Sequence, residues 1–259
     1  MSKKPEAIVF FDLDGTLFDS NLNVLSSSLE AIIKLKKNNI IPIIATGRSP
    51  CEVADLLHKT QIDSIIGMNG QVVIYAGEKV FANNINKDVI SRIYHFSKQQ
   101  MNIPLSFLNY EMIRISEHTQ PAEVFYDYIK RKVPPVDDQV YLSQPIQMLL
   151  LLCEEGESNY TAVFPELTFI RNTPYCVDVF NHGGSKANGI IQLLNKKGFT
   201  NVPTYAFGDG MNDFEMFQTV DHPIAMANAV SELKDQAEFV TDTNNNDGIA
   251  KALQKFGLI

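Results

Sequence analysis

The amino-acid sequence predicts an α/β protein, in which a parallel sheet covered on both faces is interrupted by an inserted α+β unit. Three observations predict it. Over the first eighty residues, continuously apolar runs alternate with segments of helical periodicity, the pattern of parallel strands buried on both sides. From Phe81 to Asn181 the pattern becomes hairpin-like, and after Gly183 the strand-helix alternation returns. The expected boundaries are a core of residues 1–81 and 183–259 and an insert of residues 82–182.

The elements follow in order. "AIVFF" reads as a buried strand. Leu22, Leu25, Leu29, Ile32 and Ile33 recur at helical spacing behind Asn21, a candidate N-cap. Ile40 to Thr46 reads as a second buried strand, with Pro42 weakening regular pairing. Ser49 caps a helix that has Pro50 in its first position. In the insert, "IPLSFLN" and "EMIRISEH" are separated by a short turn around Tyr110. A polar segment, Lys130 to Gln139, precedes the strand "IQMLLLLC", and "LTFIRNT" pairs with "YCVDVFN" across Pro174. Beyond it, "SKANGIIQLLNKKG" is a capped helix ended by Gly198. "TYAFGD", "HPIAMA" and "EFVTD" are strands, "MNDFEMFQTV" is a short helix whose Phe and Met face the core, and "GIAKALQKF" is the last helix. No internal repeat or low-complexity tract interrupts the chain, only the polar loop Thr243 to Asp247.

Composition narrows the function. The 259 residues carry 22 Lys and Arg against 30 Asp and Glu, a net charge of -8, which argues against a nucleic-acid or anionic-membrane surface. A small anionic substrate stays open, because local donors or a metal outweigh the global field. Cys51, Cys153 and Cys176 have no metal-ligand spacing and read as buried free thiols of a reducing compartment. The first apolar run is too short for a signal peptide, and Met148 to Cys153 is too short to span a bilayer. A cytoplasmic location is expected.

Polar clusters sit where predicted strands end: Asp12 and Asp14 after "IVFF", Thr46 after "IIPIIA", and Asp209 with Asp213 after "TYAF". Open parallel sheets bind ligands beyond the carboxyl ends of their strands, so these clusters are expected to converge. Asp-Leu-Asp-Gly also begins calcium loops, but positions 6 and 12 counted from Asp12 hold Leu17 and Asn23 instead of glycine and glutamate. A plain Asp-Gly turn remains the alternative for this stretch alone. Four carboxylates in one crevice call for a divalent cation, and magnesium suits carboxylates, waters and phosphate oxygens. Thr46 and the Gly47 amide, with Lys186 at a helix start behind two glycines, form a candidate anion clamp. Taken alone, Lys186 reads as a solvated surface lysine.

With "DLDGT", "ATGR", "GGSK" and "GDGMND" in this order, the chain resembles a haloacid dehalogenase superfamily phosphatase of the Cof-like type IIB branch. "IGMNGQVVI" and "IAMANAV" extend the likeness over nearly the whole length. The resemblance implies a Rossmann-like core with a type C2B cap that closes over the site and supplies specificity. It implies that Asp12 is the nucleophile and that Asp14 is the acid/base, raised in pKa by a neighbouring carboxylate and partial burial. It further implies Mg²⁺ on Asp12, Asp209 and the Asp14 carbonyl. Lys186, Thr46, Asn212 and the amides near Leu13 and Gly47 would hold phosphate, with Asp213 orienting Lys186 or a metal-bound water. The substrate would be a small phosphorylated metabolite, such as a sugar phosphate. The segment before "GGSK" departs from many relatives at Asn181 and His182, and His182 is left outside the catalytic set with His58, His95, His118 and His222. Tyr110, Arg114, Tyr141 and Arg171 are candidate specificity residues of the cap. The alternatives are a phosphomutase of the same fold and a slow phospho-aspartate regulatory module.

Overall fold

The computed structural model describes residues 4–259. The chain forms two compact units, Met1–Phe81 with Ser185–Ile259, and Ala82–Gly184. Unit one opens with β1 (Ala7–Phe11), α1 (Ser26–Lys37), β2 (Ile40–Ala45), α2 (Ala54–Thr60), β3 (Ile65–Gly67), β4 (Val72–Tyr75) and β5 (Glu78–Ala82). The second unit contains α3 (Lys87–Phe96), β6 (Leu105–Leu108), β7 (Ile113–Ile115), α4 (Gln120–Tyr128), α5 (Val140–Ser143), β8 (Met148–Leu151), α6 (Ser158–Thr161), β9 (Leu167–Thr173) and β10 (Cys176–Asn181). Unit one then resumes with α7 (Lys186–Lys197), β11 (Thr204–Gly208), α8 (Phe214–Phe217), β12 (His222–Ala225), α9 (Ser231–Lys234), β13 (Phe239–Val240) and α10 (Gly248–Lys255).

The sheet of unit one has the order β13-β12-β11-β1-β2-β3-β4-β5. It is parallel from β13 to β3, and β4 pairs antiparallel with β3. Every residue of β1 is buried, because a strand alternates its side chains between two covered faces. Ala7, Val9 and Phe11 pack with Ile32 and Leu35 of α1 and Ile249 and Leu253 of α10. Ile8 and Phe10 pack with Ile190 and Leu193 of α7, Met216 of α8 and Leu233 of α9.

Two expectations need correction here. Asn21 does not cap α1, which begins at Ser26 behind Leu25. Instead the Asp19 carboxylate accepts the amides of Asn21 and Asn23 in a local turn, leaving Leu22 exposed with φ +60°. Pro42 does not disturb β2, which pairs with β1 through Val9 and Pro42. The neighbouring amides of Ile44 and Thr46 point to β3, and pairing with β3 begins only at Ile44, so the missing N–H of Pro42 removes no ladder bond.

The second unit holds an antiparallel sheet of order β7-β6-β8-β10-β9. Phe107, Leu149, Leu151, Val177 and Val179 line one face and pack with Ile90 and Ile93 of α3 and with Tyr160 and Phe164. Asn109 closes the β6–β7 turn by accepting the amides of Glu111 and Met112. Two of the candidate specificity residues have partners within this unit. Tyr141 is buried and stacked on Phe107 at 5.7 Å. Arg171 pairs with Glu157 at 2.6 Å and donates to the Cys153 and Pro174 carbonyls. Arg114 donates to the Ile113 carbonyl, and Tyr110 is half-buried. Of the cysteines, Cys176 is buried, whereas Cys51 and Cys153 are only partly covered. His95, His118 and His222 contact the Ser91 carbonyl, Glu123 and Glu238 respectively, all on partly exposed surface. Among the described residues, no helix is long and apolar enough to cross a membrane.

Candidate active site

The site is assembled by strand order. β1 lies between β2 and β11, with Phe11 level with Ile44 on one side and Phe207 on the other. The residues following these strands, Asp12, Thr46 and Asp209, therefore emerge along one carboxyl edge of the sheet. The Asp12 amide donates to the Phe207 carbonyl at 3.0 Å, continuing the ladder one residue beyond the strand.

After Asp12 the chain makes a wide turn, Leu13–Leu17, closed by the amides of Leu17 and Phe18 on the carbonyls of Asp12 and Leu13. Gly15 is required there. Its φ is +84°, and a Cβ would lie 2.2 Å from Asp209 Oδ2. The next side chain, Thr16, donates to Asp209 Oδ1 at 2.8 Å and so orients that carboxylate. Across the edge, Gly208 allows the chain to lie against Asp213, whose carboxyl carbon a Cβ would meet at 2.7 Å.

Lys186, in the first turn of α7, is fully buried and is not the surface lysine its isolated sequence suggests. Ser185 caps that helix by accepting the Asn188 amide. The Lys186 ammonium donates to Asp12 Oδ1 at 2.5 Å and to Asp213 Oδ1 at 2.6 Å. Asp213 Oδ2 in turn accepts the amides of Asp209 and Gly210, so this one carboxylate ties α7 to the turn after β11.

Asp12, Asp209 and Asp213 offer oxygens within 4.8 Å of one another. Three carboxylates against one ammonium leave an excess of negative charge in a largely buried place. Burial first, and then Asp213 and Asp209, push the Asp12 carboxyl well above the usual range, against the pull of Lys186. Burial likewise raises Asp209 to about 6, with the Thr16 hydrogen bond opposing it. For Lys186 burial lowers the pKa, but Asp12 and Asp213 more than offset this and the net direction is upward. A divalent cation fits this donor set, because the oxygens are hard, close together and short of positive charge.

Asp14 behaves differently from expectation. Its carboxylate stands outside the acidic trio and is about half exposed, with Arg48 Nε at 2.8 Å and an Arg48 terminal nitrogen at 2.6 Å. The neighbour is thus a guanidinium and not a carboxylate, and the side chain is not buried. Arg48 holds it there, since a planar fork matches a carboxylate in two bonds while the three carboxylates of the trio repel it. Any share of Asp14 in metal binding falls to its backbone carbonyl.

Thr46 is buried, and its hydroxyl accepts the Arg48 amide at 3.1 Å, which leaves the O–H to donate. Gly47 is half-buried beside the Asn69 side chain. Leu13 is buried within the turn, and Asn212 is exposed on the short turn Met211–Asp213. Sequence reasoning assigned no role to Arg48 or Thr16. Thr16 stands two residues after Asp14 in "DLDGT" and Arg48 two residues after Thr46 in "ATGR", a spacing that brings both to the same strand ends.

A sequence model of the haloacid dehalogenase-like hydrolases matches residues 9–253. "Putative phosphatase YkrA" of Bacillus subtilis (strain 168) is 35% identical, over 97% of this chain and 98% of its own. A hypothetical protein from Geobacillus kaustophilus HTA426 superposes with a TM-score of 0.92 at 35% identity, covering 98% of this chain and 100% of that one. The HAD subclass IIB sugar phosphatase BT4131 superposes with a TM-score of 0.83 at 26% identity, covering 98% and 100%. Together with the mostly parallel sheet and the separate antiparallel one, these matches establish that the chain belongs to the haloacid dehalogenase-like hydrolases, as a Cof-like phosphatase.

Proposed function

We propose that the protein is a cytoplasmic, Mg²⁺-dependent phosphatase of small phosphorylated metabolites, acting through an aspartyl phosphate on Asp12. The observation that carries this reading is the Asp12–Lys186 contact at the edge of the sheet, next to the carboxylates of Asp209 and Asp213. An Asp12 oxygen attacks phosphorus and the ester P–O bond breaks, while Asp14, having left Arg48 and taken up a proton from solvent, gives that proton to the departing oxygen. Water then attacks the same phosphorus, its proton passes to Asp14, and the bond to Asp12 breaks to release inorganic phosphate. Lys186, the Thr46 hydroxyl and the amides near Leu13 and Gly47 hold the phosphoryl oxygens, with Asn212 contributing from the rim. Asp213 keeps Lys186 charged and in place. When bound to Asp12, Asp209 and the Asp14 carbonyl, Mg²⁺ supplies charge neutralisation for the phosphoryl group.

The acidic trio, Lys186 and Thr46 all belong to unit one, so we assign substrate selectivity to the unit Ala82–Gly184. Sugar phosphates are the first class to test, given the likeness to a sugar phosphatase. Three free thiols fit a reducing compartment, and the net charge of -8 argues against nucleic acid. The test is phosphate release from a panel of phosphorylated metabolites with and without Mg²⁺, with D12N as control. Release that needs the metal and vanishes in D12N is expected. Equal release by D12N removes the nucleophile, and release that requires an added bisphosphate points to a mutase.

A further inference from the structure

The polar loop Thr243–Asp247 lies against the segment that carries Asp14. The Asn228 side chain donates to the Gly15 carbonyl at 2.8 Å and accepts the Asn244 amide at 3.1 Å. Asn244 donates to the Phe18 carbonyl at 2.8 Å and is buried. Asn245 accepts the Ser20 amide at 2.9 Å and donates to its hydroxyl at 2.8 Å, and Asp247 accepts the Ser27 hydroxyl at 2.6 Å. Four side chains from the loops that follow the last two strands thus hold a segment more than two hundred positions earlier.

Asparagine chemistry suits this task. A carboxamide donates to a carbonyl and accepts an amide at once, which Asn228 does between Gly15 and Asn244. Both routes lead to Asp14. Gly15 follows it directly in the chain, while the Phe18 ring lies under the Arg48 guanidinium, 5.8 Å from its centroid, and Arg48 holds the Asp14 carboxylate. Gly15 also carries the turn against Asp209.

We propose that Asn228 and Asn244 are positioning residues that hold the backbone of the Asp14 turn still while its carboxylate passes between Arg48 and the ester oxygen. This rests on the acid/base assignment of Asp14 made above. A backbone free to drift would misplace the acid, and misplacements near 1 Å are costly to proton transfer and attack. Loss of the brace should therefore weigh most on esters whose leaving group must be protonated. A role in folding alone would not distinguish between leaving groups.

The experiment compares kcat and KM on 4-nitrophenyl phosphate, whose leaving group departs unaided, with those on an alkyl phosphate. The variants are N228A, N228D and N244A. Asn228 is exposed, so N228A keeps the fold even if N244A does not. N228D keeps the acceptor for Asn244 but turns a lone pair towards the Gly15 carbonyl. We expect N228A and N228D to lower kcat on the alkyl ester roughly tenfold or more, and on the nitrophenyl ester by less than about threefold, with KM little changed. Equal losses on both esters, or no loss, overturn the positioning role. Failure of the unsubstituted protein to release phosphate from either ester overturns the phosphatase reading itself, and the positioning role with it.

Discussion

Asp12 and Lys186, 174 positions apart in the sequence, meet at 2.5 Å between Oδ1 and Nζ with the lysine fully buried. Lys186 simultaneously holds Asp213, so the ammonium compensates two carboxylates that have little other access to positive charge. A buried lysine is tolerated only when paired in this way.

K186M is expected to destabilise the metal-free protein by about 3–5 kcal/mol, because it leaves Asp12 and Asp213 buried without a counter-charge. Urea unfolding measures it. A loss below about 1 kcal/mol, in the range of exposed ion pairs, shows that the carboxylates find other compensation.

D14N separates chemistry from stability. The Asp14–Arg48 pair is partly exposed, so its loss should change stability by no more than about 1 kcal/mol. Hydrolysis of alkyl phosphates, by contrast, should fall about 10²–10⁴-fold. Unchanged alkyl-ester turnover at saturating metal removes Asp14 from the reaction.

Metal binding and pH are linked through Asp209. In the metal-free native state its proton is held up to about 6, against an ordinary 3.8 once unfolded. Between these values the unfolded chain has released a proton that the native state keeps, so this group's contribution to metal-free stability falls as pH rises. A cation needs the ionised carboxylates, so Mg²⁺ affinity should rise as pH climbs through about 6, with the raised Asp12 carboxyl adding to the rise. Calorimetric titration at pH 5, 6 and 7 reads this directly, with proton uptake by buffer accompanying binding at the lower values. Affinity independent of pH in this interval contradicts Asp209 as a ligand.

G15A probes the turn. Its alanine would need φ +84° and would press a methyl carbon against Asp209. A stability loss of at least about 1 kcal/mol is expected, with weaker Mg²⁺ binding by calorimetry. Native-like stability and metal affinity would mean that the turn relaxes away from β11 at little cost.

Much of the architecture was legible in the residues. β1 and β11 announced themselves as short apolar runs ending in aspartate, and the β9–β10 hairpin was readable around Pro174. Helix α7 carried both its signals, Ser185 at the start and Gly198 with φ +70° at the end. The start of α1 was not legible, because Leu22 keeps the helical spacing while Asp19 draws the local amides into a turn. Tyr141 and Arg171 looked available for substrate, and packing against Phe107 and pairing with Glu157 could not be read from their neighbours in sequence.

By itself the sequence determined the strand-helix alternation, the inserted unit and the placement of carboxylates, threonine and lysine at the ends of elements, since periodicity and capping act over a few residues. Tertiary structure alone decided which groups meet. The strand order β2-β1-β11 joins Asp12 to Asp209, and the burial of α7 brings Lys186 to both Asp12 and Asp213. It also parted Asp12 from Asp14, identical residues two positions apart. The first is drawn into a buried cluster by a lysine, the second outward by an arginine fork, and that competition among distant partners leaves no mark in local sequence.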